Sequence, residues 1–312
     1  MLKHHNIQVD FKRWVDICQS ISKLRETIEA SINAYQTIKM KNVNSQKKDV
    51  LIHYCKDSSL LIYDISTEKK IALQMDQAFN EKSDSILFHE QVFIIGGANA
   101  FSIPIKEVHM FGLQSKQLEK KGDMLVGKYG HGLCIEGEHI YSIGGSNGAE
   151  IKDCQKYSVT QNKWTTLPYL NVERHQCAVF EFHGYIFALC GICKKGCLNT
   201  MEKIESKNAL SWNDVDISKT FTAKRGLQAI SIGTSEVLVF GDYYSDYKCE
   251  SYVMTFKDDK IVCKSSSNLK QASRFFCTAA PVFDGENVYA VDSGKDIHIY
   301  SVSKKSWSII KQ

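Results

Sequence analysis

The sequence predicts an all-β body, a six-bladed β-propeller, behind an N-terminal α-helix. Three observations carry that expectation. The apolar period is helical as far as about residue 41 and changes to 2 from about residue 47. Beyond the change, short apolar runs alternate with polar turns. Glycine-type sites end one run in each unit of about fifty residues, a repeat length that suits four short strands per blade.

The leader comes first. Trp14, Ile17, Ile21, Leu24, Ile28, Ser31, Tyr35 and Ile38 follow one another at alternating spacings of three and four. That is one stripe of a helix, and no Gly or Pro interrupts it. Ser31 and Tyr35 weaken the stripe as a coiled-coil seam. A single helix of this length is marginal alone in water, so some surface must bury it. Pairing with a second helix, as in a homodimer, and docking on the following domain both satisfy that need. The expected domains are residues 1–46, an amphipathic or coiled-coil helix, and 47–312, the propeller.

In the body, VLIHYC, LLIYDI, SILF, VFIIGG, HIYSIGG, YIFALCG, EVLVFG and NVYAVD read as strands. The glycine-type sites are Gly96-Gly97, Gly144-Gly145, Cys190-Gly191, Gly241-Asp242 and Asp292-Ser293, at intervals of 48, 46, 51 and 51 residues. Six units follow: 50–76, 85–121, 129–167, 174–217, 225–263 and 274–311. The first shows three strands, with TIKMKN (37–42) the candidate for a fourth, innermost one. In the clearest unit the di-glycine is followed by Tyr157 and, seven residues on, by Trp164. Tyr300 and Trp307 repeat that offset, and Phe111 and Leu118 keep it with apolar substitutes.

A di-glycine, then Tyr, then six residues, then Trp resembles the kelch repeat. Gly144, Gly145, Tyr157 and Trp164 carry the resemblance here, which extends over residues 50 to 311. Cys190-Gly191, Gly241-Asp242 and Asp292-Ser293 depart from the full glycine pair. The resemblance implies a radial array of small sheets with a binding surface on one face, and protein partners rather than substrates.

Composition narrows the function classes. Charged residues are 24% of the chain and the net charge is +4, too mild to point to nucleic acid. No apolar run approaches the length of a membrane span, and the start, MLKHHNIQVDFKRW, lacks a signal-peptide pattern. Eleven scattered cysteines point to free thiols in a reducing compartment, the cytoplasm.

Candidate site residues come from the repeat phase. A basic residue precedes the first strand in five units: Lys82, Lys128, Arg174, Arg225 and Arg274. Tyr129, His175, Phe275 and Phe276 accompany them. At one repeat phase these charges form a circle on one face, and in kelch-like adaptors that connection borders a pocket for acidic peptides. Arginine suits carboxylates through bidentate contact. The competing reading is that these side chains cap backbone carbonyls between blades. The loops ANAFSIPIKE (98–107), SNGAEIKD (146–153) and DYYSDYKCE (242–250) are a second candidate surface; Tyr243, Tyr244 and Tyr247 in the third suit contact if exposed and central packing if inward-facing.

Cys190, Cys193 and Cys197 make a C-x2-C-x3-C cluster. It gives three soft ligands where zinc needs four, so small residues at a tight turn and a redox-sensitive thiol compete with a metal site. The resemblance also raises a copper oxidase of sugars. That chemistry needs a crosslinked Tyr–Cys and two histidines, which the sequence does not group. The expectation is a non-catalytic scaffold or adaptor without cofactor. A ubiquitin-ligase substrate adaptor is one form of it, and an actin-type filament binder is the alternative.

Overall fold

The computed structural model describes Lys23 and residues 50–54, 59–65, 67–74, 80–217, 222–242, 249–257, 260–269, 274–275 and 278–311. The chain divides into two compact units, Met1–Lys47 and Lys48–Gln312. Of the first, Lys23 alone is described, and it is helical. The rest of the expected leader helix and the segment 37–42 lie outside the described residues.

The second unit is a series of antiparallel meanders. The first sheet has three strands, β1 (Val50–Tyr54), β2 (Ser59–Asp64) and β3 (Lys69–Gln74). Five four-stranded sheets follow. The second sheet is β4 (Asp84–Phe88), β5 (Gln91–Ile95), β6 (Val108–Gly112) and β7 (Leu118–Lys120). The third is β8 (Gly132–Glu136), β9 (His139–Ile143), β10 (Cys154–Ser158) and β11 (Lys163–Thr166). In the fourth, β12 (Ala178–Phe182) and β13 (Tyr185–Leu189) precede a small hairpin of β14 (Ile192–Cys193) and β15 (Gly196–Cys197); β16 (Met201–Glu205) and β17 (Asn213–Val215) complete it. The fifth is β18 (Leu227–Ser231), β19 (Glu236–Gly241), β20 (Ser251–Lys257) and β21 (Lys260–Ser265). The sixth is β22 (Val282–Phe283), β23 (Asn287–Val291), β24 (Ile297–Ser301) and β25 (Ser306–Ile310). We label the strands of each four-stranded sheet a to d in chain order.

Burial follows that order. The b strands VFII, IYSI, IFAL, VLVF and VYAV are buried on both faces, because each lies between two neighbouring sheets. The d strands keep at most one buried residue, Trp164 in β11 and Trp307 in β25, and none in β7, β17 and β21.

Each seam between sheets is its own apolar cluster. Phe93 and Met110 meet Ile140, Tyr157 and Trp164; Tyr141 and Ile143 meet Ile186 and Trp212. Phe187 and Leu189 meet Val237 and Met254, and Phe240 meets Val288, Tyr300 and Trp307. The first sheet lies between the last and the second. Leu61 and Tyr63 pack on Tyr289, Val291 and Ile297, while Leu60 and Ile62 pack on Val92, Ile94 and Phe111. The circuit of seams therefore closes.

Of the six expected units, five are four-stranded blades, and the first shows the three strands read from the sequence. Register shows which strand the first sheet lacks. Tyr63 faces Lys70 across β2 and β3, as Tyr157 faces Trp164 and Tyr300 faces Trp307 on strands c and d. So β1 to β3 correspond to b, c and d, and no a strand precedes them among the described residues. The axis closes without it: Ala280 N–H donates to the Ser85 carbonyl at 2.8 Å, joining the entries of the a strands β22 and β4. Among the described residues, five a strands line the axis.

The di-glycine has a steric cause. Gly144 and Gly145 have φ of +64° and +112°. A Cβ on Gly144 would stand 2.4 Å from the carbonyl oxygen of Arg174 in the next blade. Cys190 fills the matching place in the fourth sheet with φ of 56°, a left-handed backbone at a residue that carries a Cβ. Gly96, Gly97, Gly191 and Gly241 repeat the positive φ at their own sites.

Candidate functional site: the loop face and the axial mouth

Antiparallel order puts the b–c and d–a connections on one face of the propeller, and the a–b and c–d turns on the other. The first face carries the candidate residues. They separate into an interior layer and a rim.

The interior layer is a repeated clasp between the entry of strand a and the start of strand c. Lys128 is fully buried; its Nζ donates to Asp153 Oδ1 at 2.8 Å and to the carbonyls of Ser142 and Asp153. Arg174, also fully buried, pairs with Glu202 at 2.5 Å and donates to the carbonyls of Ala188, Cys190 and Thr200. Lys224 Nζ pairs with Glu250 at 2.8 Å and Asp242 at 3.2 Å. In the second sheet the neutral Asn80 takes the place, donating to Glu107 Oε2 at 2.8 Å.

Backbone bonds fix the phase. The N–H groups of Gly97, Gly145 and Gly191 donate to the carbonyls of Lys128, Arg174 and Lys224, each in the following blade. Lys224, not Arg225, therefore matches Lys128 and Arg174, and Asn80, not Lys82, is their counterpart in the second sheet. The structure does not bring the five basic residues of the sequence reading onto one surface circle. Lys128 and Arg174 cap carbonyls inside the blades.

The rim holds the others. Lys82, half-buried, lies over the Tyr129 ring, 4.8 Å from its centre. His175 Nδ1 stands 3.5 Å from Glu150 Oε1, and burial lowers the pKa of this imidazole while Glu150 opposes the shift. Arg225 is half-buried and Arg274 exposed. Phe275 is buried, edge-on to Phe240 at 5.2 Å, so it belongs to the core. Tyr243, Tyr244 and Tyr247 lie outside the described residues, as does Phe276.

The same face exposes apolar side chains, two of them on the loop 98–107 that the sequence named as a candidate surface. Phe101 is 85% exposed and Ile103 57%, on the b–c loop of the second sheet. That loop is knotted: Asn99 Oδ1 accepts from the N–H groups of Phe101 and Ile103, both at 3.0 Å. Leu125 and Tyr169 add exposed apolar area on the d–a connections.

At the centre lies the axial mouth, with about 420 Å³ of space partly open to solvent. Asp84, Ser85, His131, Gln176, Gln228 and Thr278 are among its lining residues. Asp84 Oδ2 and His131 Nδ1 are 3.7 Å apart and both residues are buried. Burial holds the Asp84 carboxyl well above its ordinary pKa, against an opposing hydrogen bond from the Gly130 backbone, and holds His131 well below its own with help from Lys128. The signal for Asp84 was present in the sequence: Gly132, Ala178, Gln228 and Ala280 hold its place in the other four-stranded blades, so an ionisable group there is out of pattern.

The cysteine cluster does not converge. Cys193 and Cys197 sit on the two strands of the small hairpin, where Ile192 faces Cys197 and Cys193 faces Gly196, so the two thiols point to opposite sides. Cys190 is buried, and burial pushes its thiol up to about 12. Among the described residues, no group of three or more His, Cys, Asp or Glu side chains is placed to hold a metal ion. No helix among the described residues is long and apolar enough to cross a membrane.

These features define a β-propeller, and one of its blades carries a kelch motif. Residues 127–171 match the kelch motif, over the third sheet where Gly144, Gly145, Tyr157 and Trp164 lie. The chain is similar to alpha-scruin of Limulus polyphemus, 26% identical over 113 residues, which is 34% of this chain and 12% of that protein. It is similar to beta-scruin of the same organism, 28% identical over 116 residues, 35% of this chain and 13% of that protein. It also resembles the Kelch repeat and BTB domain-containing protein 2 of cowpox virus, 21% identical over 133 residues, 42% of this chain and 24% of that protein. The chain thus matches between about an eighth and a quarter of the length of these relatives. No catalytic family is among these matches.

Proposed function

We propose that this chain is a non-catalytic protein-binding propeller that engages its partner on the b–c and d–a loop face. The observation that carries the reading is the make-up of that face. Apolar Phe101 and Ile103 stand on a knotted loop, and a rim of half-exposed Lys82, Tyr129, His175 and Arg225, with exposed Arg274, surrounds a recessed mouth. Apolar anchors bordered by a polar, cationic rim suit a protein surface that carries acidic side chains.

Within that reading the first sheet counts as a sixth, incomplete blade. The leader stripe serves to pair two chains, which would raise avidity through effective concentration. Cys134, Cys154, Cys177, Cys190, Cys193, Cys197 and Cys263 are free thiols, as a reducing compartment would keep them. An adaptor role, with a ubiquitin ligase as one destination, follows from the same surface.

The test is partner capture by the full chain and by Lys82→Ala/Arg225→Ala/Arg274→Ala. Loss of capture from a variant that melts like the parent supports the face. Unchanged capture overturns the role of the rim. Co-sedimentation of the full chain with actin filaments separates a filament binder from an adaptor.

A further inference from the structure

We propose that the axial mouth is a receptor for a protonated primary amine, the lysine ammonium of a segment carried by the bound partner. The lysine as source rests on the protein-binding reading above; the chemistry of the mouth stands without it.

The mouth has a surplus of acceptors. Asp84 Oδ2, Gln176 Oε1 and one ring nitrogen of His131 are acceptors shielded from solvent with no hydrogen-bond partner among the described residues; the other His131 nitrogen, equally unpartnered, carries the proton of the neutral imidazole. Asp84 is 7% exposed and His131 4%. Buried polar atoms are rarely left this way, and a cluster of them around one cavity marks a site for a ligand. Apart from that His131 N–H, the donors nearby are already committed. Gln228 Nε2 and Thr278 Oγ1 both donate to the Phe275 carbonyl, at 2.8 Å. Gly130 N–H is directed at the Asp84 carboxyl.

An occupant must therefore bring donors. A primary ammonium brings three on a compact head. It also brings the charge that lets Asp84 ionise in a buried place. An incoming carboxylate or phosphate would face Asp84 with like charge. The cationic rim of Lys82, Arg225 and Arg274 adds a selection. A lone amine is repelled there, whereas a lysine flanked by acidic residues satisfies rim and mouth together.

The test needs no partner. The full chain is melted with methylammonium chloride, tetramethylammonium chloride or sodium acetate at matched ionic strength. Methylammonium should raise Tm by about 2–4 °C and saturate, while tetramethylammonium, with no N–H donor, and acetate should not. Asp84→Asn should abolish the response, and Gln176→Leu should weaken it. Gln176→Leu carries the test if Asp84→Asn fails to fold. The proposal is overturned if methylammonium has no effect, if tetramethylammonium matches it, or if both folded variants respond like the parent. That failure would leave partner capture and its dependence on the rim untouched.

Discussion

Trp164 Nε1 donates to the carbonyl oxygen of Gly122 at 2.9 Å, so the outer strand of one blade is bonded to the end of the outer strand before it. Trp212 repeats the joint on Pro168 at 2.9 Å. At the seam that closes the circuit, Lys70 stands in the Trp position and its Nζ donates to the Lys311 carbonyl at 3.0 Å. The three joints give the ring different strengths. Trp164 is buried against Tyr157, with ring centres 5.1 Å apart. Trp164→Ala should cost about 3–5 kcal/mol. Lys70→Met removes two hydrogen bonds at the surface, to the Ile310 and Lys311 carbonyls, and should cost about 1 kcal/mol, well below the Trp164 loss. Urea unfolding of both variants checks the order.

The Arg174–Glu202 pair should behave as a buried ion pair. Glu202 also accepts from the N–H groups of Asn171 and Val172, at 2.6 and 3.2 Å, tying down the d–a connection. Arg174→Met leaves that carboxylate buried without its cation and should cost about 3–5 kcal/mol, whereas Arg174→Met/Glu202→Leu should recover part of the loss. A double-mutant cycle in urea measures the coupling; additive losses would mean that the pair is not coupled.

Gly144→Ala should destabilise by about 2 kcal/mol or more, since it adds a left-handed-backbone penalty to a clash with the Arg174 carbonyl. Gly148→Ala is the control. Gly148 also has positive φ, +111°, but no atom lies within 4 Å of where an added methyl would stand. Comparison of the two melting temperatures isolates the interblade contact.

Asp84 makes stability fall as pH rises. Its folded pKa lies above the ordinary 3.8, so above that pH the folded chain holds a proton that the unfolded chain has lost. The penalty grows from there up to the raised folded value. Asp84→Asn should therefore be more stable than the parent at neutral pH, with the gain shrinking toward pH 4. His131 acts in the opposite sense. Its folded pKa lies below 6.5, so its share of stability is lost as the pH falls below 6.5 and the unfolded chain takes up a proton. Urea midpoints from pH 4 to 8 for the parent, Asp84→Asn and His131→Asn separate the two slopes.

Strands b, c and d were legible because their signals are local. An apolar run of five residues, or Tyr157 and Trp164 seven apart, survives in one chain without reference to its neighbours. How the ring closes at the three-stranded first unit was not legible, since the joint there is the Ala280-to-Ser85 bond between residues almost two hundred positions apart. The clasp was legible in part. Arg174 and Lys128 share a phase, but at Lys224-Arg225 two basic neighbours compete and only the Gly191-to-Lys224 bond decides. At Asn80 the clasp carries no charge, so a search for basic residues passes over it and stops at Lys82. Burial was also hidden: a basic residue at a loop entry reads alike whether it meets solvent or the carbonyls of its own blade.

The central claim is that a partner binds the face formed by the b–c and d–a connections. Amine-reactive cross-linking of the full chain with a captured partner, read by mass spectrometry, tests it most directly. Lys82, Lys106, Lys152, Lys194 and Lys195 lie on that side of the strands, and Lys116, Lys207, Lys304 and Lys305 lie on the c–d turns opposite. The account predicts partner cross-links to the first set; cross-links confined to the second would contradict it.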